Sequence, residues 1–379
     1  MDQLKEMRMQ VDAIDKEIVA LFEKRMSLSE QISREKIRSG DRIYNREREE
    51  KKISGLMEEA STKQNRHFVR DLYAQVLSLE RKRQYQLAQE AGATGKLPFI
   101  QVDSLSEGEK PRVVFQGTEG AYSHAAMCRF FGDDVNGFHV RKFRDAMEAI
   151  ADGAADYAVL PIENSTAGIV ADNFDLLVDF ENYIVGQQVI KCEHVLMGLP
   201  GTALEEIDTV YSHQQALSQC DQFLESHPGW SAVPYDNTAL AARKVAQEGI
   251  RSHAAIGSAF AAERFGLEIL AEHIYHNEAN STRFIIATNQ RIFLKGSNKI
   301  SICFEGKHSS GSLYNILSHI IYNDLNMSLI ESRPIPGRNW EYRFFVDFEG
   351  NLNDSSVRNA LRGIRMDASN MKILGNYPA

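Results

Sequence analysis

The stretch MRMQVDAIDKEIVALFEKRMSLSEQISREK, residues 7–36, carries apolar side chains at Met7, Val11, Ile14, Ile18, Leu21, Leu28 and Ile32. That spacing returns to one face of an α-helix and is sustained over about eight turns. Such a run exceeds the ordinary globular helix and predicts a bundle helix or a coiled-coil-like segment shared between subunits. Arg-Ser-Gly-Asp at 38–41 ends it. A second helix is predicted over 46–60. A third, over 66–88, carries Phe68, Leu72, Tyr73, Val76 and Leu79. Residues 1–90 hold no proline, and their only glycines are Gly40 and Gly55. Three helices with no strand signal predict an all-α domain at 1–88.

Outward from this segment the texture changes twice. Residues 89–110 bring Gly, Pro and Ser without a sustained period, which predicts a linker. From 111 to 290, β-rich runs alternate with amphipathic helical stretches. The runs are RVVFQ (112–116), DYAVLPI (156–162), YIVGQQVI (183–190), CEHVLMGL (192–199), DTVYS (208–212), HAAIG (253–257) and RFIIAT (283–288). This predicts an α/β domain with a largely parallel sheet. Residues 298–379 read strand, helix, strand, strand, helix, strand, the order of an α+β ferredoxin-like unit. A chain of 379 residues is accordingly expected to be multidomain.

Composition narrows the function. The net charge of −9 is uneven: residues 1–88 hold 19 Lys+Arg and 16 Asp+Glu, while the remainder holds 24 and 36. The acidic remainder argues against a general nucleic-acid binder. Four cysteines, Cys128, Cys192, Cys220 and Cys303, lie far apart and form no CxxC pair, which fits a reducing compartment. No secretory leader or membrane-length apolar run is visible, so a cytoplasmic location is expected. There is no G-x-G, P-loop, H-E-x-x-H or G-x-S-x-G motif, and the eleven histidines are scattered. No cofactor and no metal is expected.

Three groups of residues remain as candidates. In the first helix, Arg25 and Lys36 are eleven residues apart, within about 20° of one face and about 16 Å along the axis. They interrupt an apolar stripe, and a buried guanidinium needs an anion. Arg8 lies about 100° off that face and is better placed for a partner subunit. Arg48 and Glu49 open the second helix, and Gln84 ends the third. Surface cations on helices are usually solvated, and that plain alternative stands beside the anion site.

The second group is rich in hydroxyls and amides. It comprises GAYSHAA (120–126), PIENSTAG (161–168), YSHQQALSQC (211–220) and Asn280-Ser281-Thr282-Arg283-Phe284. Any one such loop is ordinary turn chemistry. Four of them beside strands of one α/β domain point to a polar ligand. The third group is Gly311-Ser312-Leu313 at a helix start and Glu331-Ser332-Arg333-Pro334 at a strand end. A glycine there lets a ligand approach backbone N–H groups.

These residues carry a resemblance. Residues 1–88 resemble the all-helical chorismate mutase domain through Arg8, Arg25, Lys36, Arg48, Glu49 and Gln84. The later segments resemble the rest of the bifunctional chorismate mutase–prephenate dehydratase family. Asn45 stands where that family often has Asp, and Glu80 where it often has a small hydroxyl residue. The resemblance implies that Lys36 and Gln84 face the ether oxygen of chorismate. It implies that Arg8, Arg25, Asn45, Arg48, Glu49 and Glu80 bind the substrate, with Arg8 supplied by the partner chain.

Over 111–290 the motifs PIENS, YSH and TRF resemble prephenate dehydratase. The implied fold is two lobes like a periplasmic binding protein. Thr282 is implied as proton donor, with Ser123, Glu163, Asn164, Ser165, Gln215, Arg283 and Phe284 in the prephenate pocket. GSLY and ESRP resemble an ACT domain, which implies that Gly311, Ser312, Leu313, Glu331, Ser332 and Arg333 bind an effector, L-phenylalanine. The whole then implies a homodimer or higher homo-oligomer acting on small molecules, with no nucleic-acid or membrane partner. Two rivals are a dehydratase with a relict mutase domain and a non-enzymatic amino-acid sensor.

Overall fold

The computed structural model describes residues 2–41, 45–92, 97–105, 110–306, 309 and 311–379. It falls into two compact units, one of residues 1–98 and 304–371, the other of 99–303 and 372–379.

The first unit begins with three helices: α1 (Asp2–Ser39), α2 (Arg46–Glu59) and α3 (Lys63–Glu90). Their ends are written in the sequence. Gly40 takes the left-handed φ of 74°, and Asp41 N–H bonds back to Lys36 C=O at 2.9 Å, closing the last turn of α1. Asn45 caps α2 by accepting the Arg48 N–H at 3.0 Å. Both α1 and α2 pack on α3. What α1 buries there is a small-residue edge, Ser29 and Ser33, against the face of α3 that holds Leu77, Gln84 and Leu87. The long apolar stripe of α1 is open instead: Ile14, Ile18 and Leu21 are 55%, 56% and 66% exposed.

The same unit holds antiparallel strands Met327–Pro334 and Tyr342–Glu349, in register at Ser332↔Phe344 and Arg333↔Arg343. Helices Ser312–Ile321 and Ser355–Asp367 pack together, and the second also packs on α3. There the Arg362 guanidinium lies 5.1 Å from the centroid of the Tyr85 ring. From Lys299 to Tyr377 the elements run strand, helix, strand, strand, helix, strand, the predicted order.

The second unit contains two groups of neighbouring strands. In the first, Tyr183–Lys191, Ser281–Thr288, Tyr157–Asn164, Arg112–Gln116 and Asn136–Val140 lie in that order. Its core is Val113, Phe115, Val159, Phe284 and Ile286. In the second, Glu268–Ala271, His194–Gly198, His253–Ser258, Thr209–Ser212 and Ser231–Pro234 lie in order over Leu196, Val210 and Ile256.

Both sheets are mixed, not largely parallel as the alternating pattern suggested. The chain leaves the first sheet along Tyr183–Lys191 and returns beside it along Ser281–Thr288, so that pair is antiparallel, as is the pairing with Tyr157–Asn164. The second sheet is antiparallel where His194–Gly198 enters and parallel at its far side. The segment expected as a linker also departs from expectation. Ile100–Val102 forms a short strand parallel to Ile292–Leu294, while residues 93–96 and 106–109 of that stretch lie outside the described residues. Among the described residues no helix is long and apolar enough to cross a membrane.

Candidate active sites

A cleft of about 240 Å³ opens among α1, α2 and α3. Helical spacing fills it. Arg25, Ser29, Ile32 and Lys36 come from one side of α1, Arg48, Glu49 and Lys52 from α2, and Glu80, Arg81 and Gln84 from α3. Five cations therefore face two carboxylates, a charge balance suited to a small anion.

The charges are already partly paired. Arg25 bonds Glu80, and Arg81 bonds Glu49. Burial raises the carboxyl pKa of both acids, and the paired guanidinium pulls each back. Burial first, then the nearby Arg48, lowers the Lys36 ammonium. Gln84 is buried and donates from Nε2 to Ser29 Oγ at 2.7 Å.

The cleft thus gathers Arg25, Lys36, Asn45, Arg48, Glu49, Glu80 and Gln84. Asn45 has its side-chain oxygen engaged as the cap of α2. Arg8, on the exposed length of α1, is not among the residues lining this cleft. Lys52 and Arg81 were missed by the sequence reading. Their only signal is position, one turn after Arg48 and directly after Glu80.

The second site centres on Thr282, paired in the sheet with Asn164 on one side and Ile190 on the other. Its polarity can be worked out from the backbone. Asn164 Oδ1 accepts the N–H groups of Thr166 and Ala167 at 3.0 and 2.8 Å, closing the turn after its strand. The Asn164 Nδ2 must then be the donor to Thr282 Oγ1 at 2.9 Å and to Asn280 Oδ1 at 3.0 Å. That leaves Asn280 Nδ2 to donate to Gln219 Oε1 at 3.1 Å.

Gln219 Oε1 also meets His194 Nε2 at 2.9 Å, so this nitrogen carries a proton. His194 Nδ1 in turn accepts from the Tyr122 hydroxyl at 3.0 Å. Burial holds His194 below its ordinary pKa and raises Tyr122 well above its own, so both stay neutral. Asn164 therefore donates both to Asn280 and to Thr282, Gln219 accepts from both of its neighbours, and Thr282 is an acceptor towards Asn164, its own hydroxyl proton pointing elsewhere. Cys192 Sγ stands 3.2 Å from the same oxygen, its thiol pKa raised by burial.

The other predicted pocket residues divide. Arg283, largely buried, pairs with Glu163, its NH2 group lying 3.2 Å from the Oε2 atom. Ser165 Oγ accepts the Ser281 N–H at 2.9 Å and donates to Ala279 C=O at 2.8 Å, so it staples two loops. Ser123 Oγ donates to Gln116 C=O at 2.5 Å. Two expectations need correction. Phe284 is 3% exposed and belongs to the apolar core, because the strand alternates and its side chain falls on the packed face. Gln215 is exposed on helix Gln214–Gln219, and it is Gln219, about one turn later, that turns inward to the network. Asn280, Tyr122 and Gln219 lie within the quoted stretches but were given no role there, and His194 and Cys192 are the members that sequence reasoning missed.

In the C-terminal segment Gly311 adopts a left-handed φ of 77° just before helix Ser312–Ile321, whose first turn holds half-buried Leu313. On the strand Met327–Pro334, Glu331 and Arg333 are half-buried and Ser332 between them is exposed.

Two family models fall on the two sites. Residues 7–85 match chorismate mutase type II, and residues 113–291 match prephenate dehydratase. The bifunctional chorismate mutase/prephenate dehydratase of Aquifex aeolicus (strain VF5) is 30% identical over 379 residues, covering 100% of this chain and 98% of that protein. Among solved structures, prephenate dehydratase from Arthrobacter aurescens in complex with L-Phe is 30% identical, with a TM-score of 0.65 over 71% of this chain and 90% of that one. GqqA, described as a novel type of quorum quenching acylase, is 32% identical with the same TM-score of 0.65, over 71% of this chain and 98% of its own. The class defined by the two sites is thus a fused isomerase and dehydratase. The chain belongs to the bifunctional chorismate mutase/prephenate dehydratase family.

Proposed function

We propose that this chain converts chorismate to phenylpyruvate in two steps, one in the helical cleft and one at Thr282, in the biosynthesis of L-phenylalanine. The observation that carries this reading is that one chain holds both a cation-lined helical cleft and a directed network on Thr282, and is similar over its whole length to bifunctional enzymes. The acylase description of GqqA illustrates that a shared fold does not fix chemistry. The mutase helices and the full-length relatives favour the bifunctional reading over that one, and over an amino-acid sensor.

In the helical cleft the reaction is pericyclic. It needs a compact conformer of a dicarboxylate and stabilisation of the negative charge growing on the ether oxygen, but no nucleophile. Arg25 and Arg48 suit the anionic substrate. Lys36 and Gln84 are both donors at neutral pH and suit the ether oxygen. Arg8 would come from a second copy. A dimer is supported by the open stripe of α1, since each Ile or Leu it covered would contribute about 1.5–3 kcal/mol.

At Thr282 the C–O bond to the ring hydroxyl and the bond to the ring carboxylate break together. The electron pair released with carbon dioxide aromatises the ring, and the departing hydroxide leaves as water with a proton from Thr282. Solvent then restores the threonine proton. Asn164 orients Thr282 for this donation, and Arg283 would receive a carboxylate. Residues 298–379 would form the ACT effector domain for L-phenylalanine, through Gly311, Ser312, Leu313, Glu331, Ser332 and Arg333. Residues 1–88 and 111–290 would be the mutase and dehydratase domains, joined through 89–110. The four cysteines, none of them in a disulfide, fit a cytoplasmic setting.

The test is direct: purified protein is given chorismate, and chorismate loss and phenylpyruvate formation are followed with and without L-phenylalanine. Conversion suppressed by phenylalanine is expected. Chorismate that persists while added prephenate is consumed would make the mutase cleft a relict, and consumption of neither would favour the sensor.

A further inference from the structure

Glu80 sits one turn before Gln84 on α3, in the wall of the helical cleft, and is 8% exposed. A carboxylate in the wall of an anion site opposes the site's purpose unless it is neutralised. Here it is neutralised by Arg25, a group 55 residues away on α1 that an incoming carboxylate would itself use. The second guanidinium facing the cleft from α3, Arg81, is likewise held by Glu49. Two of the cleft's arginines, Arg25 and Arg81, are therefore satisfied by the chain's own acids. Breaking a pair of this kind without a replacement leaves an uncompensated charge in a poorly solvated place.

We propose that Glu80 is a resident counter-ion of this cleft, which holds Arg25 until a substrate carboxylate displaces it and which then takes up a proton. The proposal rests on the chorismate-binding reading of the cleft. Its physical basis is the full set of charges around Glu80. Arg25 and Lys36 face it from α1, Arg48, Glu49 and Lys52 from α2, and Arg81 from its own helix. Asp367, on the helix packed against α3, adds its charge at Glu49. Burial favours the neutral acid, and Arg25 is the largest influence favouring the charged form.

When a substrate carboxylate occupies Arg25, Glu80 loses that influence and gains a like charge at contact distance. Both changes favour protonation. Glu49 already feels Glu80 as a repelling neighbour, so the proton belongs to the pair of acids and not to one oxygen. A complex that holds one proton more than its parts binds more tightly as pH falls, by up to about tenfold per pH unit.

Mutase kinetics of the full-length chain and of Glu80→Gln, between about pH 5.5 and 8.5, test this. In the wild type, kcat/KM for chorismate is expected to rise as pH falls. In Glu80→Gln, KM at the alkaline end is expected to be about tenfold lower, kcat little changed and the profile flat, because glutamine neither repels nor titrates. Glu80→Ser is a second variant with the same expectation. Turnover of added prephenate should be equal in all three proteins, reporting that they are folded. A KM and profile in Glu80→Gln equal to those of the wild type overturn the proposal, as does a raised KM, which would make Glu80 a direct substrate contact.

A separate titration with chorismate, in two buffers of different ionisation heat, counts protons. Uptake by the wild type that vanishes in Glu80→Gln supports the counter-ion. Binding without uptake overturns it and leaves the mutase reading intact. Absence of both binding and turnover in every variant overturns both.

Discussion

In the helical cleft five cations and two carboxylates face one another around a volume of about 240 Å³. Around Thr282 the polar groups are an alcohol, a thiol, three amides, an imidazole and a phenol, joined by hydrogen bonds in which Asn164 donates to both Asn280 and Thr282, and Gln219 accepts from both Asn280 and His194. The first arrangement stabilises charge that arrives with a ligand or grows during a reaction. The second contributes almost no charge and instead fixes where one proton points. The rearrangement needs the former, since no proton moves. The dehydration, with Thr282 in its proposed role, would need the latter, since a hydroxide would leave with a proton from a very weak acid.

The sharpest way to break this contrast is to remove the proton. Thr282→Ala is expected to lower dehydratase kcat by about 10²–10⁴-fold, the usual worth of a positioned general acid, while mutase turnover stays at wild type. Steady-state assays with chorismate and prephenate supplied separately check it, and dehydratase activity near wild type would remove Thr282 from its role. The converse experiment removes a charge. Lys36→Ala is expected to cost mutase kcat about 10²–10³-fold, comparable to losing one donor to a developing oxyanion. Dehydratase activity should not move. Parallel loss of both activities would mean a folding defect instead of two separable sites.

How far the contrast was legible in the sequence depends on the distance over which its parts act. The α1 period and the break at 38–41 are local, and the chain folds as they indicate. Arg25 and Lys36 were found because they break a period on one helix. The ion pairs of the cleft were not, although Glu49 and Glu80 were both named, because Glu80 reaches Arg25 and Arg81 reaches Glu49 across 55 and 32 residues. In the α/β unit, the YSHQQALSQC loop was recognised but its inward glutamine was not. Only the fold shows that Gln219 is buried at 8% exposure while Gln215 faces solvent. The same limit applies to Ile100–Val102, a strand only because Ile292–Leu294 supplies its partner.

A third prediction sharpens the neutral site. Gln219→Ala removes the acceptor shared by Asn280 and His194 but touches neither Thr282 nor its direct partners. Two buried donors then lose their partner, at about 1–3 kcal/mol each if water does not replace it. Dehydratase kcat is expected to fall about tenfold as Asn164 loses its fixed orientation, a change equivalent to about 1.4 kcal/mol in the barrier. Gln219→Glu restores the acceptor and should recover part of that loss, which a purely structural defect would not allow. The KM for prephenate should change little in either variant.

The smallest effect expected is in stability, and it follows from the neutrality of His194. Burial lowers its folded pKa below the ordinary value of about 6.5 that the unfolded chain retains. Above that unfolded value neither state binds the proton, and the folded state keeps its full stability. As pH falls towards the depressed folded value, only the unfolded chain is protonated, and stability is lost at up to about 1.4 kcal/mol per pH unit. In a region of this size each kcal/mol corresponds to about 2–4 °C in Tm. Melting the wild type and His194→Gln at several pH values from about 7.5 to 5.5 isolates the contribution, since His124 also has a burial-lowered pKa and contributes in both proteins. The wild type should lose more Tm on acidification than the variant. Equal slopes would mean that His194 takes up a proton as readily in the folded as in the unfolded chain, and the bond to Tyr122 would then reverse, with Nδ1–H donating to the hydroxyl oxygen, while Nε2–H still donates to Gln219.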